Sequence, residues 1–381
     1  MSSIDWRIGV EIELLAPSGK SRFDLANAIS SHYQGRVQRY FHPQSEPSLV
    51  PGTPIFHNLT LGFEVLDARQ HRVAQCVDDL TLQADLNRHA PPKAGWYRVV
   101  SDDERLLRLI KQQADATLPL EQVMNPIAKL FGMTPELGAG GMIRVNDESG
   151  ASIAIAAPLP GERERPCELI TPPMENDHKQ KLELLLNLAR QLQFTAPVEG
   201  ATHIHFDATA LQSAHAMANL INLYSTYSEI LKVVMNTNPH CRRLGTWPES
   251  LLELVNSPGF RNLSWEEARE QLKTLKLTKY CDLNIGNCIY AIVDKNTIEL
   301  RILPVWLDSE PILAVAELFI ALFKVALAPA VIGFSPVQKY SAEAFGDFLQ
   351  ILSLSERQSA RWKKTLNALN NRTLDQNHAT L

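Results

Sequence analysis

Hydrophobic and polar residues alternate over several short stretches of this chain, and alternation with period two predicts half-buried strands. In Val10-Glu11-Ile12-Glu13-Leu14 the apolar residues share one face and two glutamates the other. In THIHFD, residues 202–207, Ile204 and Phe206 oppose His203, His205 and Asp207. In NTIELRI, residues 296–302, Ile298, Leu300 and Ile302 oppose Glu299 and Arg301. Cys167–Thr171 is shorter and carries Glu168. Hairpins are predicted for Leu61–Asp67 with Ala74–Ala84 across the turn ARQHR, for Met142–Val145 with Ser152–Ala156, and for Cys281–Ile285 with Ile289–Ile302. Trp96–Val100 predicts a further strand.

Helical spacing covers residues 21–32, a segment beginning DERLLRLIKQQ with Ser101 or Asp102 as its N-cap, and residues 177–193, 211–235, 265–275 and 311–327. Two amphipathic helices follow Ser341 and Ser355. Residues 41–60, rich in Pro, Gly and Ser, predict a long loop, and Pro158–Pro166 an exposed one. Hairpins and helices without βαβ alternation predict an α+β fold with a largely antiparallel sheet flanked by helices. The expected organisation is a catalytic domain over residues 1–334 and a helical appendage over 335–381, ending in a polar tail and offering a surface for a homo-oligomer.

Composition narrows the function classes. The formal charge of -5 and scattered basic residues exclude nucleic acid as a main partner. The most apolar stretch, Ile312–Ile332, is interrupted by Glu317 and Lys324, so it predicts a buried helix and no membrane span. Five cysteines, odd in number and without a CxxC, argue against a structural zinc or a disulfide framework. The opening MSSIDWRIGVEIELL has no basic segment followed by an apolar one. A reducing cytoplasm is the expected compartment.

Each alternating strand alone reads as an ordinary one, apolar in and polar out. Together they place Glu11, Glu13, Glu168, His203, His205, Asp207, Glu299 and Arg301 on polar faces. Carboxylates at i and i+2 stand about 6.6 Å apart along a strand, near enough to serve one metal or a neighbouring pair. Such oxygens suit Mg²⁺ or Mn²⁺, and Mn²⁺ tolerates imidazole. Arginine adds a planar donor for phosphate oxygens. No GxxxxGK[ST] loop is present, and Gly138–Gly141 does not fit GxGxxG before a helix. That cluster reads as a turn or a mobile lid.

The motifs Gly9-Val-Glu-Ile-Glu13, Glu168-Leu-Ile-Thr-Pro-Pro173, His203-Ile-His-Phe-Asp207, Lys279-Tyr-Cys-Asp-Leu-Asn284 and Thr297-Ile-Glu-Leu-Arg301 follow in that order. Together they resemble the amidoligase family of the carboxylate–amine ligase superfamily, related to glutamate–cysteine ligase and more remotely to glutamine synthetase. The resemblance implies a curved antiparallel sheet of the glutamine synthetase-like type, with ATP and Mg²⁺ or Mn²⁺ bound on it. It makes Glu11, Glu13, Glu168, His205 and Glu299 the metal contacts and puts His203 beside the nucleotide or acyl phosphate. It sets Arg301 on the transferred phosphate and Lys279, Tyr280 and Asn284 on the substrate side. NPHCRR, residues 238–243, resembles a less regular block, so Arg242 or Arg243 is placed on a substrate carboxylate. The chain departs from the family pattern at Leu300, where an aromatic is usual, and after Arg301, where ILPVWLD replaces a Gly-Thr.

The activity so implied is amide formation between a small carboxylic acid and an amine, at the expense of ATP and through an acyl phosphate. Two other readings compete. HIHFD matches the HxHxD of metal-dependent hydrolases, although Ala208 stands where metallo-β-lactamase-like enzymes carry histidine. A non-catalytic binding protein on the same scaffold is the other, disfavoured because every expected ligand is present.

Overall fold

The computed structural model describes residues 4–44, 56–241, 243–292 and 295–378, with side chains through residue 367. They form two compact units. The sheet unit comprises Glu11–Pro172 and Leu184–Gly200; the helical unit comprises Met1–Val10, Pro173–Glu183 and Ala201–Leu381.

In chain order the sheet unit contains β1 (Ile8–Leu15, from Glu11 onward), α1 (Arg22–His32), β2 (Arg36–Pro43), β3 (His57–Leu66), β4 (Arg72–Val77) and β5 (Tyr97–Ser101). It continues with α2 (Glu104–Gln113), α3 (Leu120–Val123), α4 (Asn125–Leu130), β6 (Glu136–Leu137), β7 (Ile143–Asn146), β8 (Ser152–Pro158) and β9 (Pro166–Ile170). The strand order is β1-β9-β4-β3-β5-β8-β7-β6, with β2 also on β3, and every pairing is antiparallel. The length of β3 makes the branching feasible. One edge pairs with β2 throughout, while the other serves β5 at its start and β4 at its end.

The alternation decides the two faces. Leu59, Leu61, Phe63 and Val65 of β3 are buried, and Phe23 of α1 meets Phe63 with ring centroids 4.7 Å apart. Helix α1 therefore covers the apolar face. Its first turn is fixed by Asp24, whose carboxylate accepts from Ser21 N and Oγ at 2.8 and 2.6 Å. A buried polar brace sits in the same unit. The Arg22 guanidinium is fully buried, donates to Leu61 O and Arg163 O, and lies 4.6 Å from the Trp96 ring centre. Arg163 donates to Asp78 Oδ1 at 2.5 Å, and Asp78 Oδ2 lies 3.8 Å from Arg22.

Helix α5 (His178–Gln191) carries the chain between units. The helical unit then holds β10 (Thr202–Asp207), α6 (Ala214–Val234), α7 (Glu249–Val255), α8 (Trp265–Thr274), β11 (Leu283–Asn284), α9 (Gly286–Ile289), β12 (Thr297–Leu303), α10 (Ser309–Leu327), α11 (Ala342–Ile351) and α12 (Glu356–His378). Strand β12 pairs antiparallel with β10 on one edge and β11 on the other. Phe206 of β10 meets Phe319 and Phe323 of α10 at 6.1 and 5.0 Å, so the apolar face of this strand pair is covered by α10, which also packs on α6. Among the described residues no helix is long and apolar enough to cross a membrane, in line with the charges within α10. Among the described residues Cys76, Cys167, Cys281 and Cys288 are buried thiols outside any disulfide.

The α+β class and the antiparallel pairing agree with the alternation. Several local expectations do not. Residues 41–60 are not one loop: β2 runs to Pro43 and β3 starts at His57, while residues 45–55 lie outside the described ones. Pro158–Pro166 is largely buried, not exposed, because Arg163 and Glu164 are needed in the interior; at Gly161 (φ 45°) a Cβ would stand 2.8 Å from the Arg88 backbone. The cap of α2 is Asp103, whose Oδ1 accepts from Arg105 N at 2.7 Å, while Ser101 Oγ bonds Asp103 N. The 281–302 hairpin is interrupted by α9 before β12 begins. Gly138–Gly141 forms the turn between β6 and β7. The polar tail is helical in its backbone through His378, and residues 379–381 lie outside the described ones.

Candidate functional site

In the helical unit the polar faces of β10 and β12 meet directly. His205 stands opposite Glu299 and Asp207 opposite Thr297. Two residues further on the register slips: Ile204 faces Leu300 but Thr202 faces Leu303, so β12 carries one extra residue there. Such bulges re-aim side chains, and this one falls at Arg301–Ile302 opposite His203.

Glu299 is the centre of this group and only 5% exposed. Its Oε2 accepts from Asn284 Nδ2 at 2.8 Å. Its Oε1 accepts from Arg301 Nη1 and lies 3.6 Å from His203 Nδ1 and 3.9 Å from His205 Nε2. Asn284 cannot flip cheaply, because its Oδ1 accepts from Gly286 N at 2.8 Å and so turns the amide donor toward Glu299. His205 Nδ1 lies 3.2 Å from Thr297 Oγ1, which orients the ring. The strand pair thus gathers His203, His205, Asn284, Glu299 and Arg301 of the expected set.

Asp207 is not part of this group. Its carboxylate binds Arg7 and accepts from Thr209 N at 2.8 Å, closing the end of β10. Although burial opposes it, these donors and the Arg7 charge hold the Asp207 carboxyl below its ordinary range. The HxHxD spacing therefore does not yield a three-ligand metal site here, which removes the support for the hydrolase reading. Lys279 and Tyr280 lie in the connection ahead of β11; Tyr280 is exposed, and the Lys279 ammonium stands 5.3 Å from its ring centre. Arg243 is half-buried in the turn after α6, and Arg242 lies outside the described residues.

In the sheet unit, Glu13 stands opposite Glu168 and Glu11 opposite Ile170 in the β1–β9 register. One oxygen of Glu13 lies within 4.8 Å of one of Glu168, and Glu13 is 2% exposed. Two carboxylates that close, one buried and one half-buried, repel, which favours a shared cation, and carboxylate oxygens suit a hard divalent ion.

The same polar face extends across the unit through residues outside the sequence motifs. Glu11, Ile170, Gln75 and Glu64 form one cross-strand row. Asn58, Thr60, Gly62 and Glu64 alternate with the buried apolar residues of β3, and Tyr40 and His42 of β2 stand opposite Gly62 and Thr60. Tyr40 lies so close over Gly62 that a Cβ there would meet its ring at 2.9 Å. Burial, with Glu64 and Glu168 nearby, pushes the Tyr40 phenol far up. Arg98 on β5 donates to Asn58 Oδ1 at 3.3 Å, and burial beside Arg163 lowers its pKa. Gln44 donates to Thr60 Oγ1 at 2.8 Å. The signal was the alternation in Asn58-Leu-Thr-Leu-Gly-Phe-Glu64, masked by a loop-like composition on its N-terminal side.

A family model described as "Putative amidoligase enzyme" matches residues 5–323, and the chain belongs to this amidoligase family. Among curated proteins, none matches this sequence. Membership makes the chain a ligase that forms amide bonds, and it agrees with the order of strand motifs that carried the resemblance.

Proposed function

We propose that the chain is an ATP-dependent carboxylate–amine ligase acting through an acyl phosphate, on a catalytic sheet of the glutamine synthetase-like type. The observation that carries this reading is the Glu299 cluster, a buried carboxylate bound by Arg301 and Asn284 and bordered by two imidazoles. Phosphoryl transfer to a carboxylate needs both a cationic clamp for phosphate oxygens and acidic ligands for metal. Glu11, Glu13, Glu168, His205 and Glu299 would hold Mg²⁺ or Mn²⁺, which supplies neutralisation of the phosphate charge.

The chain's own groups act as follows in this reading. Arg301 donates to the transferred phosphoryl group while an oxygen of the substrate carboxylate bonds to the γ-phosphorus and ADP leaves. His203 borders the resulting acyl phosphate. The amine nitrogen then bonds to the acyl carbon, inorganic phosphate leaves, and the nitrogen loses a proton. Asn284 holds Glu299 in one orientation throughout, so no reorganisation is needed as charge develops. Lys279, Tyr280, Arg242 and Arg243 are proposed contacts of the acid or amine, whose class is an amino acid or a small peptide-like acid.

Hydroxylamine tests this without knowledge of the amine, because it intercepts an acyl phosphate as a hydroxamate. Purified protein with ATP, Mg²⁺ and pools of amino and dicarboxylic acids is expected to give hydroxamate and ADP in equal amounts from one pool. ADP without hydroxamate from any pool would count against an acyl phosphate, and neither product from any pool against the ligase reading.

A further inference from the structure

Two arginines of the sheet unit share a stretch of its open face at which neither is ion-paired. Arg98 of β5 stands opposite Thr60 of β3 on one side and Ala157 of β8 on the other, and Arg144 of β7 stands opposite Ile155 of β8. Ala157 and Ile155 are two residues apart, so both arginines belong to the same face of β5-β8-β7. Val99, Val145, Ala154 and Ala156 are buried on the other face.

Neither guanidinium has a carboxylate within ion-pair distance among the described residues. Arg98 is half-buried, and its Nη1 donates to Asn58 Oδ1 at 3.3 Å. Asp78 attracts it and Arg163 repels it, but Asp78 is already bonded by Arg163 and lies 3.8 Å from Arg22. Arg98 therefore keeps a charge that no bonded anion offsets, a costly state for a group taken partly out of water. Its Nε is sealed from solvent, whereas Nη2, equally without a protein acceptor among the described residues, is not. This is the nitrogen a ligand reaches.

Arg144, also half-buried, turns Nε and Nη2 to Met142 Sδ, each at 3.4 Å, and a thioether is a weak acceptor. Glu136 stands opposite it in the β6–β7 register but accepts from Asn146 Nδ2 at 2.7 Å instead. Because Ile143 pairs with Ala156, leaning back on Met142 carries the Arg144 head toward the level of Ala157, where Arg98 stands. The two arginines thus flank Ala157 across two strand spacings of about 4.8 Å each. The glycine turn belongs to this arrangement: a Cβ on Gly138 would meet Arg144 Nε at 3.0 Å.

We infer that this face binds a short dicarboxylate, one carboxylate on Arg98 Nη2, the other on Arg144, and its methylenes over Ala157. Two cations separated by an apolar strip match an anion whose charges stand at the two ends of a hydrocarbon chain. About four or five carbons, with a hydrogen bond of about 2.9 Å at each end, cover the gap. The planar fork of a guanidinium suits a carboxylate. A phosphate gathers its charge at one point and leaves one arginine unserved. As a binding site this stands apart from the ligase reading, since neither nucleotide nor metal enters it.

Calorimetric titration of the full chain, in EDTA and without nucleotide, tests it with glutarate, its monoamide glutaramate and inorganic phosphate. Wild type is compared with Arg98→Met and Arg144→Met. Wild type is expected to bind glutarate saturably at one site, and glutaramate and phosphate at least about tenfold more weakly, because each forfeits one charge-assisted contact. Either substitution is expected to weaken glutarate and to erase its advantage over glutaramate. Equal affinity for glutarate and glutaramate in wild type, tighter binding of phosphate, or no glutarate binding at millimolar concentration would each overturn the proposal. Undiminished glutarate binding in both variants would do the same, since it puts the ligand elsewhere on the chain. Should Arg98→Met fail to fold, Arg144→Met and the glutaramate comparison decide alone.

Discussion

Replacing Glu299 by glutamine separates the structural role of this carboxylate from its chemical one. Gln keeps the shape, but both polar neighbours bonded to the carboxylate, Asn284 Nδ2 and Arg301 Nη1, are donors. The new amide nitrogen must therefore face one of them, and the buried guanidinium loses the negative charge of Glu299. Glu299 and Arg301 are 5% and 6% exposed, so solvent screens little of this loss. Removing one charge of such a pair costs about 3–5 kcal/mol. For a unit of this size that is a fall in melting temperature of roughly 6–20 °C. The double variant Glu299→Gln/Arg301→Met removes both charges of the pair and is expected to recover most of the stability, since neither partner is left as an uncompensated charge. Hydroxamate formation is expected to fall by at least about a hundredfold in both variants. Thermal unfolding followed by circular dichroism, beside the hydroxamate assay, reads the two effects apart. A single variant as stable as wild type would refute the pairing energetics, and one with wild-type turnover would refute the catalytic assignment.

Divalent cation should stabilise the protein through Glu13 and Glu168: at a hundredfold excess over Kd, Mg²⁺ or Mn²⁺ is expected to add about 2.7 kcal/mol, seen as a higher melting temperature that Glu13→Gln loses. Identical shifts in wild type and variant would dissociate that pair from metal. Arg22→Met breaks a fully buried ion pair and three carbonyl contacts, so a loss of about 3–5 kcal/mol in urea unfolding is expected; a change under 1 kcal/mol in that experiment would show the brace to be dispensable. Burial pushes the Cys281 thiol up to about 12 and Cys288 to about 11, so neither forms appreciable thiolate at pH 8. Iodoacetamide on native protein, mapped by mass spectrometry, is expected to label half-buried Cys241 first, and preferential labelling of Cys281 would contradict its burial.

What the sequence determined by itself was the local arithmetic. Alternation in GVEIELL, THIHFD and TIELRI fixed which residues share a face, because strand geometry leaves no other choice. It also gave the long helices, whose apolar stripes and caps such as Ser21 and Ser264 are local properties. Composition misled where a strand carried turn-like neighbours: Asn58 and Thr60 of β3 looked like loop, yet their burial is complete because partner strands satisfy the backbone. Only the tertiary structure decided which polar residues meet. Spacing put Asp207 with His203 and His205, but a strand end is open to other elements, and Arg7, 200 residues away, claims that carboxylate. Spacing likewise could not show that Asn284 and both histidines meet Glu299, or that Asn284 is locked by Gly286. Nor could it set Arg98 and Arg144 on either side of Ala157. Such pairings depend on register and on contacts between distant segments, whose free energy is settled by packing of the whole fold and is written in no single stretch of it.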